Sequence, residues 1–300
     1  MTQARERTLR ARLPRLLLRL AILLVLLFVI VTFVVVPVGF GIAATSMPRE
    51  PVGAPPEGFE ALTLTTADGV RLAAWYARPQ SGAEPGPAVV LVHGASNSRE
   101  GVRPYAEMLA RHGFGVLTYD QRGHGESEGQ TNLYGWEGGA DVAAAVTFLS
   151  GQPEVTTIGG LGLSLGGEVL VGAASANPAM TAIVSEGTAH RSMAEFRAIA
   201  SHADTVRGLQ PWIGYTVVRL ITGDDAPIAM QDSIRDSGAT RFLLIAAADA
   251  TDEVEYANTY AEAAPGRAEV WVIPEGGHIG GLRTVPAEYE ARVVGWLRGD

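Results

Sequence analysis

The sequence predicts an α/β protein with a mostly parallel sheet, preceded by one apolar helix long enough to cross a membrane. Three observations carry this reading. From Phe59 onward, short strand-like runs alternate with helix-like runs. A Gly-x-Ser-x-Gly motif, Gly162-Leu163-Ser164-Leu165-Gly166, follows the apolar run Thr157–Leu161 and opens a helical stretch. Near the N-terminus, Leu20–Val36 holds no polar residue except Thr32, and the apolar character continues to Ala44.

The N-terminal run comes first in the chain. At about 1.5 Å per residue, 17 to 25 residues cover a hydrocarbon core of roughly 30 Å. Arg5, Arg7, Arg10, Arg12, Arg15 and Arg19 precede it, and no basic residue follows until Arg49. The positive-inside bias therefore places residues 1–19 in the cytoplasm, 20–44 as a transmembrane helix and the body outside. The rival is a signal peptide cleaved near Gly41 and Ala43, which would leave the body secreted. A signal peptide's apolar region is about 7–15 residues, shorter than this one. Residues 45–58, rich in Pro and Gly, read as a semi-stiff linker.

Charge and composition narrow the partners. The chain has 23 basic residues, all arginine, against 32 acids, for a net charge of −9. Six arginines and one acid lie in residues 1–44, so the remainder carries 17 arginines against 31 acids, or −14. So acidic a body argues against nucleic acid as a partner. With no cysteine in the chain, disulfides and thiolate metal sites are excluded. The lipid bilayer, met through residues 20–44, is the expected macroscopic partner.

Residues 59–300 form the expected α/β domain. Glu60–Thr66 and Val70–Arg78 flank Ala67-Asp68-Gly69, a hairpin signal. Ala88–Val92 is wholly apolar, as suits a strand covered on both faces. A helix is expected over Arg103–His112 with Gly113 as its stop, then a strand at Gly115–Tyr119 and a helix at Trp136–Leu149. Beyond the Ser164 motif come a nearly uncharged helix at Leu165–Ala176, strands at Ala182–Ser185, Phe242–Ala247 and Glu269–Ile273, and a last helix from Pro286. Residues 187–240 contain no strand but hold helix-like pieces at Ser192–His202 and Gln210–Ile221. An insertion of that length builds a cap rather than a plain loop.

The chemistry centres on Ser164. A serine flanked at ±2 by glycine between a strand and a helix is the signature of a nucleophile elbow, a turn too tight for larger flanks. A serine hydroxyl needs a base within hydrogen-bond reach. His278, in the glycine-rich loop Gly276-Gly277-His278-Ile279-Gly280 after the final strand, is delivered to the same sheet edge. An oxyanion would find the N–H of Leu165 at the helix start and that of Ala95 after His93-Gly94. His112, His190 and His202 read as structural, and no histidine pair at ligand spacing points to a metal.

Together these residues resemble the α/β-hydrolase superfamily, and more narrowly its membrane-tethered, S33-like serine aminopeptidase/esterase branch. The landmarks are the hairpin before Ala88, His93-Gly94, Asp120-Gln121-Arg122-Gly123-His124-Gly125-Glu126-Ser127, Gly162–Gly166 and Gly277-His278. The resemblance implies an eight-stranded sheet, no cofactor, and hydrolysis of an ester, thioester or amide through an acyl-serine, on a small-molecule, acyl or peptidyl substrate. The triad acid departs from the family pattern. Matching an Asp-x-Val motif favours Asp252; counting from the strand gives Asp249; Glu253 adjoins; Glu186 closes another strand where this fold supplies an acid. A reading of another class is a catalytically inactive α/β-hydrolase serving as a binding module at the membrane. The run Trp212–Ile221 has three readings: acyl-pocket lining, cap core, or a surface resting on lipid.

Overall fold

The computed structural model describes residues 2–80, 85–202 and 208–300, with residues 2–13 as backbone only. The side chains of Arg5, Arg7, Arg10 and Arg12 and the cap residues 203–207 thus lie outside the described parts. The N-terminal helix is continuous but for one irregularity: α1 (Thr2–Ile30) passes through a π-helical turn at Val31–Val35 into α2 (Val36–Ala43). Pro37, lacking an N–H and clashing with the preceding turn, accounts for the local widening. The stretch Pro14–Ala43 is 30 residues with a mean hydropathy of 3.3 over its most apolar window, long and apolar enough to cross a membrane. Arg15 and Arg19 do not interrupt the helix, which runs through the segment expected from composition at residues 20–44.

The segment after α2 lies against the body. Arg49 donates to the carbonyls of Ser127 and Gly129, Gly53 N–H to Glu100 (3.1 Å), and Arg103 to the Ala54 carbonyl (2.6 Å). A hairpin of β1 (Glu60–Thr65) and β2 (Arg71–Ala77) follows, then β3 (Gly86–Val92), α3 (Arg103–Arg111), β4 (Gly115–Tyr119) and α4 (Gly138–Ser150). Next come β5 (Val155–Leu163), α5 (Leu165–Ala173) and β6 (Met180–Glu186). The cap holds α6 (Met193–Phe196), α7 (Leu209–Thr222) and α8 (Met230–Asp236). The chain closes with β7 (Arg241–Ala247), α9 (Glu253–Ala261), β8 (Ala268–Ile273), α10 (Gly281–Thr284) and α11 (Pro286–Arg298).

The eight strands form one sheet in the order β1-β2-β4-β3-β5-β6-β7-β8. Only the β1–β2 and β2–β4 pairs are antiparallel; β4 through β8 run parallel. Helices cover both faces, as a parallel sheet requires. On one face Val90, Val92, Ile183 and Leu244 pack under Val146, Val169, Leu170, Ile234 and Tyr256. On the other, Val89, Leu91, Val184 and Ile245 pack under Met108, Leu109, Tyr289 and Val293.

Two helical expectations change. The Ser192–His202 piece is not one helix. Ser192 caps a single turn by accepting from Glu195 N–H (3.2 Å), and Glu195 in turn accepts from Met230 N–H (2.8 Å), so the turn is tied sideways rather than extended. The fourth helix starts at Gly138, not Trp136. Trp136 instead packs with Ala44, Tyr215 and Val218 in a small core joining α2 to the cap. The short α8, with only Met230 and Ile234 as its apolar positions in the core, is too brief to show a period.

Candidate active site

Ser164 sits between β5 and α5 at φ 51° and ψ −123°, a left-handed conformation that a side chain rarely adopts. The glycines around it are required by packing. A Cβ on Gly162 would lie 2.5 Å from the Gly166 carbonyl carbon, and one on Gly166 would meet the Val92 oxygen and lie 2.6 Å from that of His93. Ser164 N–H donates to the Glu186 carbonyl (2.7 Å), and its own carbonyl accepts from Glu168 N–H (3.1 Å), which opens the helix.

His278 meets this hydroxyl. Its Nε2 lies 2.8 Å from Ser164 Oγ, and its Nδ1 lies 2.5 Å from Glu253 Oε1. The carboxylate accepts the Nδ1 proton, leaving Nε2 with a free lone pair for the serine O–H. The Glu253 hydrogen bond raises the His278 pKa above its ordinary value, against a smaller opposing effect of burial. Glu253 itself is buried, and its second oxygen accepts from Ala247 N–H (3.0 Å) at the end of β7. A carboxylate so held orients an imidazole and stabilises its protonated form; a hydroxyl, imidazole and carboxylate linked in series are equipped for nucleophilic acyl transfer.

The four carboxylates weighed for the acid position divide cleanly. Asp252, the favoured one, is a correction: its Oδ2 pairs with His202 Nε2 at 2.8 Å, not with His278. The reason is backbone geometry. Asp252 holds a left-handed φ of 64° immediately before α9, which turns its side chain to the cap and that of Glu253, the first residue of the helix, to the sheet. Asp249 accepts from the N–H groups of Gly276 (3.2 Å) and Gly277 (3.0 Å), bonds that lower its pKa. Glu186 accepts from Gly281 N–H (2.8 Å) and Tyr289 O–H (2.7 Å), while burial raises its pKa. Asp249 and Glu186 thus hold the histidine loop at its two ends.

The loop after β3 approaches the same point. A Cβ on Gly94 would lie 3.4 Å from Ser164 Cβ. His93 is wholly buried, with its pKa pushed down to about 3 by desolvation, so the ring is neutral. Its Nδ1 faces the Gly94 carbonyl (2.7 Å), an acceptor, and its Nε2 accepts from Gln121 N–H (3.0 Å), which fixes the Nδ1–H tautomer. The carbonyl so gripped belongs to the same peptide plane as Ala95 N–H, which in a trans peptide points the opposite way. His93 therefore sets the orientation of one of the two N–H groups expected to face an oxyanion; the other, Leu165, is the first residue of α5.

The Asp120–Ser127 landmark is a scaffold. Arg122 pairs with buried Asp141 (2.7 Å) and with Asp68 and Glu137, and Arg99 bridges Asp120 and Glu126. A concavity of about 530 Å³, lined by Phe59, Gln80, Glu107 and Arg111, lies at the linker and holds none of these groups. No cluster of three or more His, Cys, Asp or Glu suited to a metal occurs among the described residues. One neighbour escaped the sequence reading. Glu168, the only charged residue on α5, is buried one turn after Ser164, accepts from Ala189 N–H (3.0 Å), and has its pKa raised to about 7 by desolvation. A lone carboxylate on an otherwise uncharged helix was the available signal.

Strand order, the strained serine and the capped parallel sheet define the α/β-hydrolase fold. A sequence model of the X-Pro dipeptidyl-peptidase (S15) family matches residues 68–264, and the chain belongs to that family. The motifs alone point to the S33-like branch; the matching model is S15. The matches in sequence and in structure are thus to proteins of the esterase/peptidase type. Curated relatives include an uncharacterized protein of Mycobacterium tuberculosis, 38% identical over 119 residues (39% of this chain, 41% of that protein). A thiohydrolase, aneE, of Aspergillus aculeatus is 34% identical over 132 residues (42% of this chain, 41% of that protein). The matches thus span about two-fifths of those relatives' length. Among solved structures, an esterase of Pyrococcus furiosus superposes with a TM-score of 0.64 at 24% identity, over 84% of this chain and 98% of that one. The α/β hydrolase GrgF from Penicillium sp. gives 0.62 at 18%, over 80% and 98%. At these identities both establish the fold alone.

Proposed function

We propose that the protein is a membrane-tethered serine hydrolase that cleaves an ester, thioester or amide through an acyl-serine. His278 Nε2 takes the Ser164 proton as Oγ attacks the carbonyl. Leu165 and Ala95 N–H hold the oxyanion, and the imidazolium, steadied by Glu253, passes its proton to the leaving group. Water then repeats the cycle on the acyl-enzyme. The observation that carries this reading is the unbroken series Ser164–His278–Glu253 at 2.8 and 2.5 Å on a strained serine. The tether is the apolar helix ending at Ala43, with the arginines before it on the cytoplasmic side and the hydrolase domain outside. Ser164→Ala should abolish labelling by a fluorophosphonate probe while leaving the thermal transition unchanged; undiminished labelling of that variant would end the proposal.

A further inference from the structure

The last turns of the apolar helix and the cap helix α7 lie side by side. Gln210 meets Thr32, and Gly41 meets Gly214 and Val217 further along, so the two run parallel. Their contact uses two devices. Within the π-turn, Val36 N–H bonds to Val31 O, and Pro37 has no N–H, so the Thr32 carbonyl has no donor in its own helix. Gln210 Nε2 donates to it at 3.0 Å. At Gly41 the helices approach so closely that a Cβ would lie 2.7 Å from Val217 Cβ and 3.1 Å from Gly214 O. Side-chain satisfaction of a freed carbonyl and small-residue packing are how helices associate where water is excluded.

Depth follows from length. Thirty residues from Pro14 to Ala43 make a rod of about 45 Å. Only roughly 30 Å of it lies in hydrocarbon. With Arg15 and Arg19 near the inner boundary, the outer boundary falls along the turns that α7 flanks. On α7's outward side Leu209, Trp212, Leu220 and Ile221 are 40, 51, 79 and 44% exposed, an apolar ridge that also carries the exposed Arg219–Asp225 ion pair. The body's charge of −14 gives it no overall attraction to anionic lipid, which leaves the apolar side chains of this ridge as the basis for a lipid contact. The inner side of α7 reaches the site: Tyr215 O–H bonds to His190, and Gly187, three residues earlier, leaves no room for a Cβ against the His278 ring.

We infer that α7 is seated in the outer boundary of the bilayer beside the anchor, so that the cap lies in the lipid surface and the active site opens there. The occupant of the exposed ridge is lipid, not a protein. This rests on the tethering reading above, and the test separates the two. Because the chain has no cysteine, single thiols can be introduced and labelled with an environment-sensitive fluorophore. The full chain is reconstituted in phosphatidylcholine vesicles containing brominated lipid, with the thiol from Leu23→Cys, Leu209→Cys, Leu220→Cys or Glu288→Cys. Quenching at 209 and 220 should exceed that at 288 by about threefold or more, as for residues in the interface. Adding Gly41→Leu should lower quenching at 220 and leave that at 23 intact. Quenching at 23 with none at 209 and 220 overturns the inference alone; no quenching at 23 overturns the tether as well. Concentration-dependent self-quenching at 220 without lipid quenching would assign the ridge to a second copy. Unchanged quenching in the Gly41→Leu background would remove the paired-helix basis.

Discussion

Replacing Glu253 by Gln tests which carboxylate serves His278. In the wild type Glu253 accepts from His278 Nδ1–H and from Ala247 N–H. The introduced carboxamide can keep one bond as acceptor, at Ala247, but must then offer its NH2 to the imidazole. That forces the tautomer with the proton on Nε2, facing Ser164, and the base is disabled. Wrong-tautomer substitutions in serine triads cost ~10⁴ in kcat, which is about 5.4 kcal/mol at 1.36 kcal/mol per decade. We expect a loss of about 10³- to 10⁴-fold in kcat/KM for p-nitrophenyl butyrate. Asp252→Asn, which touches His202 instead, should cost less than about tenfold, within the loss of one hydrogen bond of about 1 kcal/mol. The pH profile supplies a second reading. His278 must be neutral to act as base, and Glu253 raises its pKa above 6.5, so activity should fall with acidification through a midpoint above that value. Glu253→Gln should move the residual limb to lower pH; Asp252→Asn should leave it in place. A hundredfold loss in Asp252→Asn beside near-normal Glu253→Gln would refute the reasoning.

Two further predictions concern buried neighbours. His93→Ala frees the Gly94–Ala95 peptide plane without touching substrate, and should lower kcat by ~10- to 100-fold, a part of one oxyanion donor's contribution, with little change in KM; an unaltered kcat measured on the same ester would show that His93 does not orient Ala95. Glu168 has a folded pKa of about 7 against an ordinary value of 4.5, so the native state holds an extra proton between those values. Stability should therefore fall as pH rises from about 5 to 7, by up to about 3 kcal/mol from this group, and Glu168→Gln should flatten that slope in thermal melts. A Glu168→Gln variant with the wild-type slope would contradict the assignment.

What was legible in the sequence was whatever short-range pattern encodes. All eight strands were marked by runs of apolar and β-branched residues, and the elbow by glycines whose necessity is steric and local. The meeting of His278 with Ser164 was legible because a glycine-rich loop after the last strand can reach only one edge of the sheet. The carboxylate was not, because its choice depends on one backbone torsion. A left-handed Asp252 directs residues 252 and 253 to opposite sides, and no propensity distinguishes Asp-Glu in that conformation from its neighbours. The side-by-side packing of α2 and α7 was equally invisible, since Gly41 and Gln210 are 169 positions apart and each alone is ordinary.

The same torsion joins two contacts that a one-residue shift would separate. Glu253 meets the His278 imidazole from the first turn of α9, while Asp252 holds His202, whose Nδ1 also meets Tyr256 O–H at 3.1 Å on that helix. His202 belongs to the cap, and its ring stacks on Phe196 at 4.2 Å. The cap is therefore fastened to the residue beside the one that steadies the imidazole, with no flexible segment between them. A glutamate suits this arrangement better than an aspartate. Its carboxylate starts from a helix rather than from the loop at the strand end, and the additional methylene, adding about 1.5 Å, supplies the reach to His278 while Asp252 remains with the cap.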